Sequence, residues 1–130
     1  RPFPLQKFLM DIRKLQKIVV SALEDIKGKD IEVINTTKLT SMFDRLVIAT
    51  GDSNRQVKAL ARNVQEKVRE AGGEIVSVEG EDAGEWVLVD IGDLVVHVMQ
   101  PAVRSYYNLE ELWQVTPAQR RKLADVAAGE

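Results

Sequence analysis

The chain reads as an α/β protein, a mixed β-sheet with flanking helices built as one domain. Three observations predict this. Residues 86–99 (Trp-Val-Leu-Val-Asp-Ile-Gly-Asp-Leu-Val-Val-His-Val-Met) are two apolar, β-branched runs around a glycine, the pattern of a hairpin. A second apolar run, Phe43–Thr50, stops at Gly51-Asp52-Ser53 and gives way to helical periodicity. Finally, 130 residues at 45% hydrophobic and 29% charged suffice for a single buried core.

The first element is a helix over Leu5–Lys27. Phe8, Ile12, Leu15, Val19, Ala22 and Ile26 recur at three- and four-residue steps, and Gly28 is placed to end it. Met10 is a candidate initiator, with Arg1–Leu9 as an extension ahead of it. Asp30–Asn35 alternates as a short strand with Ile31 and Val33 on one face. Phe43–Thr50 is apolar on both faces, as a central strand should be. Ser53 and Gln56 make a capping box for a helix over 54–71, whose buried stripe is Val57, Leu60, Ala61, Val64 and Val68. Gly72-Gly73 stops that helix, and Glu74–Glu79 returns as a strand. The strand from Phe43, this helix and the strand from Ile75 then form a parallel, right-handed crossover unit.

In the hairpin, Ile91-Gly92 is the expected turn, pairing Val89 with Leu94, Val87 with Val96 and Trp86 with His97. One face carries Val87, Val89, Leu94, Val96 and Val98, suited to a core. The other carries Trp86, Leu88, Val95, His97 and Met99, and an apolar second face must also be covered. The expectation is that the tryptophan side stays open in the lone molecule and receives a partner. A short helix or turn follows in Val103–Trp113, then a charged helix over Ala118–Ala128 opened by Thr116-Pro117.

Composition narrows the chemistry. A net charge of −2 argues against a general nucleic-acid coat protein, and the absence of cysteine removes disulfides, thiolate metal sites and cysteine nucleophiles. No apolar run approaches the length of a membrane helix, and the start lacks a secretory signal, so a soluble cytoplasmic protein is expected. His97 is the single histidine; as a general base it lacks a nearby orienting carboxylate other than Asp90 or Glu85. Ser53 is explained by capping. Glu79, Glu81, Asp82 and Glu85 read as a solvated turn rather than a metal cage, and no Asp-x-Asp pair follows Gly51. Arg55, Lys58, Arg62, Lys67 and Arg69 make the second helix basic, but Glu66 and Glu70 interrupt it, which suits a solvated face. The Gly51 strand–helix turn leaves one enzymatic alternative, a nucleotide-binding or nucleotidyl-transferring activity. No catalytic residue, metal or cofactor is assigned.

What remains is an aromatic surface. Trp86, Tyr106, Tyr107 and Trp113 all fall late in a chain that is only 5% aromatic. Such side chains bury large rigid areas and dominate binding hot spots.

Taken together, the blocks resemble the ribosomal silencing factor family, also called Iojap. They are Asp44-Arg45-Leu46-Val47-Ile48-Ala49-Thr50-Gly51 with Ser53-Asn54-Arg55-Gln56-Val57; Glu79-Gly80 leading to Trp86–Asp90; Gly92–Val98; and Arg104-x-Tyr106-Tyr107-x-Leu109-Glu110-x-Leu112-Trp113. The resemblance runs from about Leu15 to Trp113, giving a domain at 10–113 between an extension at 1–9 and a charged tail at 114–130. Tyr106 stands where many members have Phe. The resemblance implies a nucleotidyltransferase-like fold without its catalytic carboxylates, and a non-enzymatic role. Such a factor binds the large ribosomal subunit through its fourteenth L protein and sterically blocks joining of the small subunit when nutrients are scarce. The partner-binding residues expected are Trp86, Leu88, Asp90, His97, Met99, Pro101, Tyr106 and Tyr107. Acidic Glu79, Glu81, Asp82, Glu85 and Asp90 would steer the approach to a basic partner. A homodimer off the ribosome is a further expectation, and contact with ribosomal RNA is left open.

Overall fold

A computed structural model describes residues 11–109. The order is α1 (Ile12–Asp25), β1 (Lys29–Asn35), β2 (Arg45–Thr50), α2 (Asn54–Glu70), β3 (Ser77–Glu79), β4 (Trp86–Asp90), β5 (Leu94–Met99) and α3 (Pro101–Tyr107). The expected helix over 118–128, the stretch from Leu5 to Met10, and Trp113 lie outside the described residues.

Each long helix starts and stops for a local reason. Asp11 caps α1 by accepting the Arg13 N–H at 2.8 Å. At its other end the backbone closes a Schellman motif: Gly28 N–H reaches Leu23 O at 2.8 Å and Lys27 N–H reaches Glu24 O at 2.9 Å. The left-handed residue there is Lys27, at φ 62°, not the glycine. Gly28 is instead favoured by space, since a Cβ on it would crowd Leu23 O at 3.0 Å and Leu60 Cδ2 at 3.1 Å. Helix α2 ends in the same motif with Gly72, at φ 92°, in the left-handed place.

The five strands form one mixed sheet in the order β1-β2-β5-β4-β3. Only β2 and β5 are parallel neighbours; the other pairs are antiparallel. The crossover through α2 therefore skips two positions. β3 lies at the far edge, running parallel to β2 as expected but separated from it by β5 and β4. The hairpin also differs from expectation. Its register pairs Trp86 with Met99, Val87 with Val98, Leu88 with His97 and Val89 with Val96. Ile91 N–H bonds Leu94 O at 2.9 Å, so Gly92-Asp93 is the two-residue turn, with Gly92 at φ 97°. Asp90 selects this turn by accepting the Gly92 N–H on Oδ1 at 2.8 Å. The turn moves by one residue and the pairing by two, so every side chain keeps its expected face.

Helices α1 and α2 cover one face. Val47, Ala49, Val87, Val89, Leu94, Val96 and Val98 from the sheet meet Leu15, Val19, Leu23, Val57, Leu60, Val64 and Val68 from the helices. Gln56 ties the layer together: its Nε2 donates to the carbonyls of Ile26 and Lys27, and its Oε1 accepts the Asp52 N–H at 2.7 Å. At the edges the fit to expectation loosens. Val33 is exposed, whereas its expected companion Ile31 packs toward the helices and Ile34 toward the other face. The strand expected over Glu74–Glu79 is paired only at Ser77–Glu79, and Val76 ahead of it is exposed.

Candidate partner-docking surface

The second face of the sheet carries Leu46 and Ile48 of β2, Val95, His97 and Met99 of β5, and Trp86 and Leu88 of β4, with Ile34, Phe43, Val103 and Leu109 packed around them. Strand pairing sets Thr50, Met99 and Trp86 in one row across three strands. Helix α3 lies over that row. Pro101 opens it at the first helical position, and Asn108, in left-handed conformation at φ 48°, ends it after seven residues.

This changes the expectation of an open face. Leu46, Ile48 and Met99 are fully buried and Val95 nearly so, so the middle of the second face is a small core of its own. Met99 is therefore not an exposed anchor; it lies in the row whose two ends hold α3. What stays accessible is a rim. Tyr106 is 68% and Tyr107 38% exposed, Pro101 is exposed, and Trp86 and Leu88 are half-buried.

The rim is an aromatic ladder. The Tyr106 ring meets Tyr107 edge-on with centroids 4.9 Å apart, and Tyr107 meets Trp86 at 4.8 Å. Trp86 continues inward to His97 at 5.8 Å between rings, and its Nε1–H donates to His97 Nδ1 at 2.9 Å. That bond fixes the imidazole as an acceptor at Nδ1, its neutral form. Burial pushes the His97 pKa down to about 4. His97 is thus a support for Trp86 rather than a titrating base near neutrality. Across from the ladder, Gly80 holds the acidic turn against β4. A Cβ there would fall 2.1 Å from the Trp86 carbonyl, and its φ of 87° also selects glycine.

The acidic residues divide in two groups. Glu79, Glu81, Asp82 and Glu85 are exposed around this turn, and the Glu81 carboxylate accepts from Gln65 Nε2 at 3.3 Å. Asp90 is half-buried and occupied by the hairpin turn, which is its backbone role.

The other candidate chemistry finds little room. At the Gly51 turn, Gly51 N–H donates to Met99 O, Asp52 N–H to Gln56, and Gln56 N–H to the Ser53 hydroxyl. Asp52 is paired with Lys29 at 2.5 Å. Those N–H groups are thus already bonded within the chain instead of facing an anion. Among the described residues there is no group of three or more His, Cys, Asp or Glu arranged to hold a metal. Nor is any helix there long and apolar enough to cross a membrane.

Sequence reasoning missed Arg104 and Gln100 as parts of this surface. Gln100 N–H bonds Glu85 O at 3.0 Å, and its side chain reaches Asn54 and the Gly84 carbonyl, fixing where α3 begins. Arg104 Nη1 donates to Thr50 Oγ1 at 2.8 Å and to the Asp30 carbonyl. The one available signal was Arg104's place in the Arg-x-Tyr-Tyr block.

Comparison with known proteins agrees with this architecture. The family described as ribosomal silencing factor during starvation matches residues 10–129, and so takes in most of the stretch after Trp113. A protein of Chromobacterium violaceum named ribosomal silencing factor RsfS is 64% identical over 104 residues, covering 80% of this chain and 85% of that protein. A crystal structure of a Chromobacterium violaceum protein, 63% identical, superimposes with a TM-score of 0.80 over 81% of this chain and 88% of the other. A mouse protein named mitochondrial assembly of ribosomal large subunit protein 1 is 32% identical over 114 residues, covering 85% of this chain and 50% of its own length. From these matches, the chain belongs to the ribosomal silencing factor family.

Proposed function

We propose that this protein binds the large ribosomal subunit through its fourteenth L protein and, by occupying the surface the small subunit needs, prevents subunit joining when nutrients are scarce. The observation that carries the reading is the ladder of exposed Tyr106 and Tyr107 leading to half-buried Trp86, on the sheet face opposite the two long helices. Solvent-exposed aromatics in contact with one another, beside half-buried Leu88, have the composition of a binding hot spot. The name of the mouse relative, which refers to assembly of a large ribosomal subunit, supports the same partner class. Exposed Glu79, Glu81, Asp82 and Glu85 provide an acidic flank for approach to a basic ribosomal protein. The mechanism is occlusion, which asks for a rigid body of sufficient bulk and a well-made contact, and for no chemistry at the surface.

The test mixes purified large and small subunits with increasing protein and follows joined ribosomes on a sucrose gradient. The expected result is a dose-dependent loss of joined particles, with the protein travelling on the large subunit. Unchanged joining with the protein bound would end the occlusion reading, and no association with the large subunit would end the partner assignment.

A further inference from the structure

The docking reading needs Tyr106 and Tyr107 in a fixed place, yet α3 is a seven-residue helix with no fully buried residue. Helices so short are unstable alone, so tertiary contacts must hold this one. Contacts along the side facing the sheet do so. Val103 packs on the small core, Arg104 reaches Thr50 and Asp30, and Tyr107, one turn beyond, packs on Trp86. Thr50 and Trp86 end the same row across β2, β5 and β4, with Met99 between them. The helix thus straddles the row, with a polar contact at one end and an aromatic one at the other.

The receiving end is shaped for this. Thr50 closes β2 and is 4% exposed, so its hydroxyl needs a partner inside the fold. In β1 the pairing register slips between Lys29 and Glu32, and Asp30 there has φ 48°. A bulge of this kind withdraws a residue from the ladder and re-aims its carbonyl. That carbonyl meets the same Arg104 nitrogen as the Thr50 hydroxyl.

Resting on the docking reading above, we propose that Arg104 is a positioning residue for partner binding. By gripping Thr50 and the β1 bulge it pins α3 across the sheet and holds Tyr107 against Trp86, while making no contact with the partner itself. The aromatic rim is then a built surface whose geometry depends on an arginine at its inner edge.

The test uses the full chain with Arg104→Met, which keeps most of the aliphatic stem and removes the donors, alongside Arg104→Lys and Thr50→Val. Two quantities are read: the nuclear Overhauser contact between the Trp86 indole and the Tyr107 ring, and affinity for purified large subunits. Arg104→Met is expected to lose the ring contact and to weaken binding at least tenfold, with the sheet amide pattern retained. Arg104→Lys should recover part of both, because one ammonium can still reach an acceptor. Thr50→Val, which keeps the side-chain shape, should weaken both by a smaller factor and decides the matter if Arg104→Met does not fold. Full binding by Arg104→Met and Thr50→Val would overturn the proposal. So would weakened binding with the Trp86–Tyr107 contact intact, since Arg104 would then be touching the partner directly. If the unmodified protein does not bind the subunit, the docking reading fails, and with it any role of Arg104 in binding. The ring contact in Arg104→Met then reports only whether the arginine pins α3.

Discussion

The two faces of this sheet solve the same problem with different side chains. Toward α1 and α2 the sheet presents Val47, Ala49, Val87, Val89, Val96 and Val98, all fully buried against Leu23, Leu60 and Val64. Toward α3 it presents a smaller core around Leu46, Ile48 and Met99 that opens into half-buried Trp86 and Leu88 and exposed tyrosines. The first face is saturated: β-branched residues fit the pleat and two long helices remove water from them. The second is left partly unsatisfied, and its rings are held by contacts with each other. One face gives the domain its stability, and the other, on the proposed reading, is the one that binds.

The contrast can be broken from the stable side first. Leu60→Ala removes a fully buried side chain between α2 and the sheet, and about 4 kcal/mol of stability should go with it. Urea denaturation reads that loss, while binding per folded molecule should be unaltered.

His97 sharpens the comparison through pH. Its folded pKa of about 4 lies below the ordinary 6.5 because burial disfavours the charged ring. The unfolded chain therefore takes up a proton that the folded chain refuses as pH falls from 6.5 toward 4. Stability declines across that window and the loss is complete below it, amounting to about 3 kcal/mol. His97→Asn keeps an acceptor for the Trp86 indole, and its denaturation midpoints should lack this arm of the pH dependence.

On the binding side, Trp86→Ala should weaken association with the large subunit by about 2 kcal/mol, as truncation of a hot-spot aromatic does. It will also lower the melting temperature, because the ring supports both His97 and Tyr107. Tyr106→Ala makes the smallest change and the cleanest one. With the ring 68% exposed, stability should move by less than about 0.5 kcal/mol while binding falls by about 1 kcal/mol. Isothermal calorimetry with the isolated ribosomal protein reads both binding losses.

How much of this was written in the chain depends on the range of the interaction. Helix α2 was legible to within a residue, because Ser53, Gln56 and Gly72-Gly73 are local signals whose bonds span only a few residues. The faces of the hairpin were legible as well, since alternation survives an even slip in pairing. The turn was misplaced because Ile91-Gly92 and Gly92-Asp93 both offer a glycine between aspartates, and the Asp90 side chain decides between them only in three dimensions. The left-handed Lys27 was hidden by a neighbouring glycine that does a different job. For the candidate site, the aromatic residues announced themselves by type. Their arrangement did not, because the bonds that place α3 join Arg104 to Thr50 and Asp30, 54 and 74 positions away. The burial of Met99 was hidden with it, because α3 covers that row only where Arg104 and Tyr107 meet Thr50 and Trp86.

The most direct measurement compares how the unmodified protein and a Tyr106→Ala/Tyr107→Ala variant co-sediment with purified large subunits at equal folded concentration. The unmodified chain should travel with the large subunit, and the variant, still folded, should stay at the top of the gradient. Equal recovery of both with the subunit would mean that the ribosome is gripped elsewhere, and the division of labour between the two faces would fall.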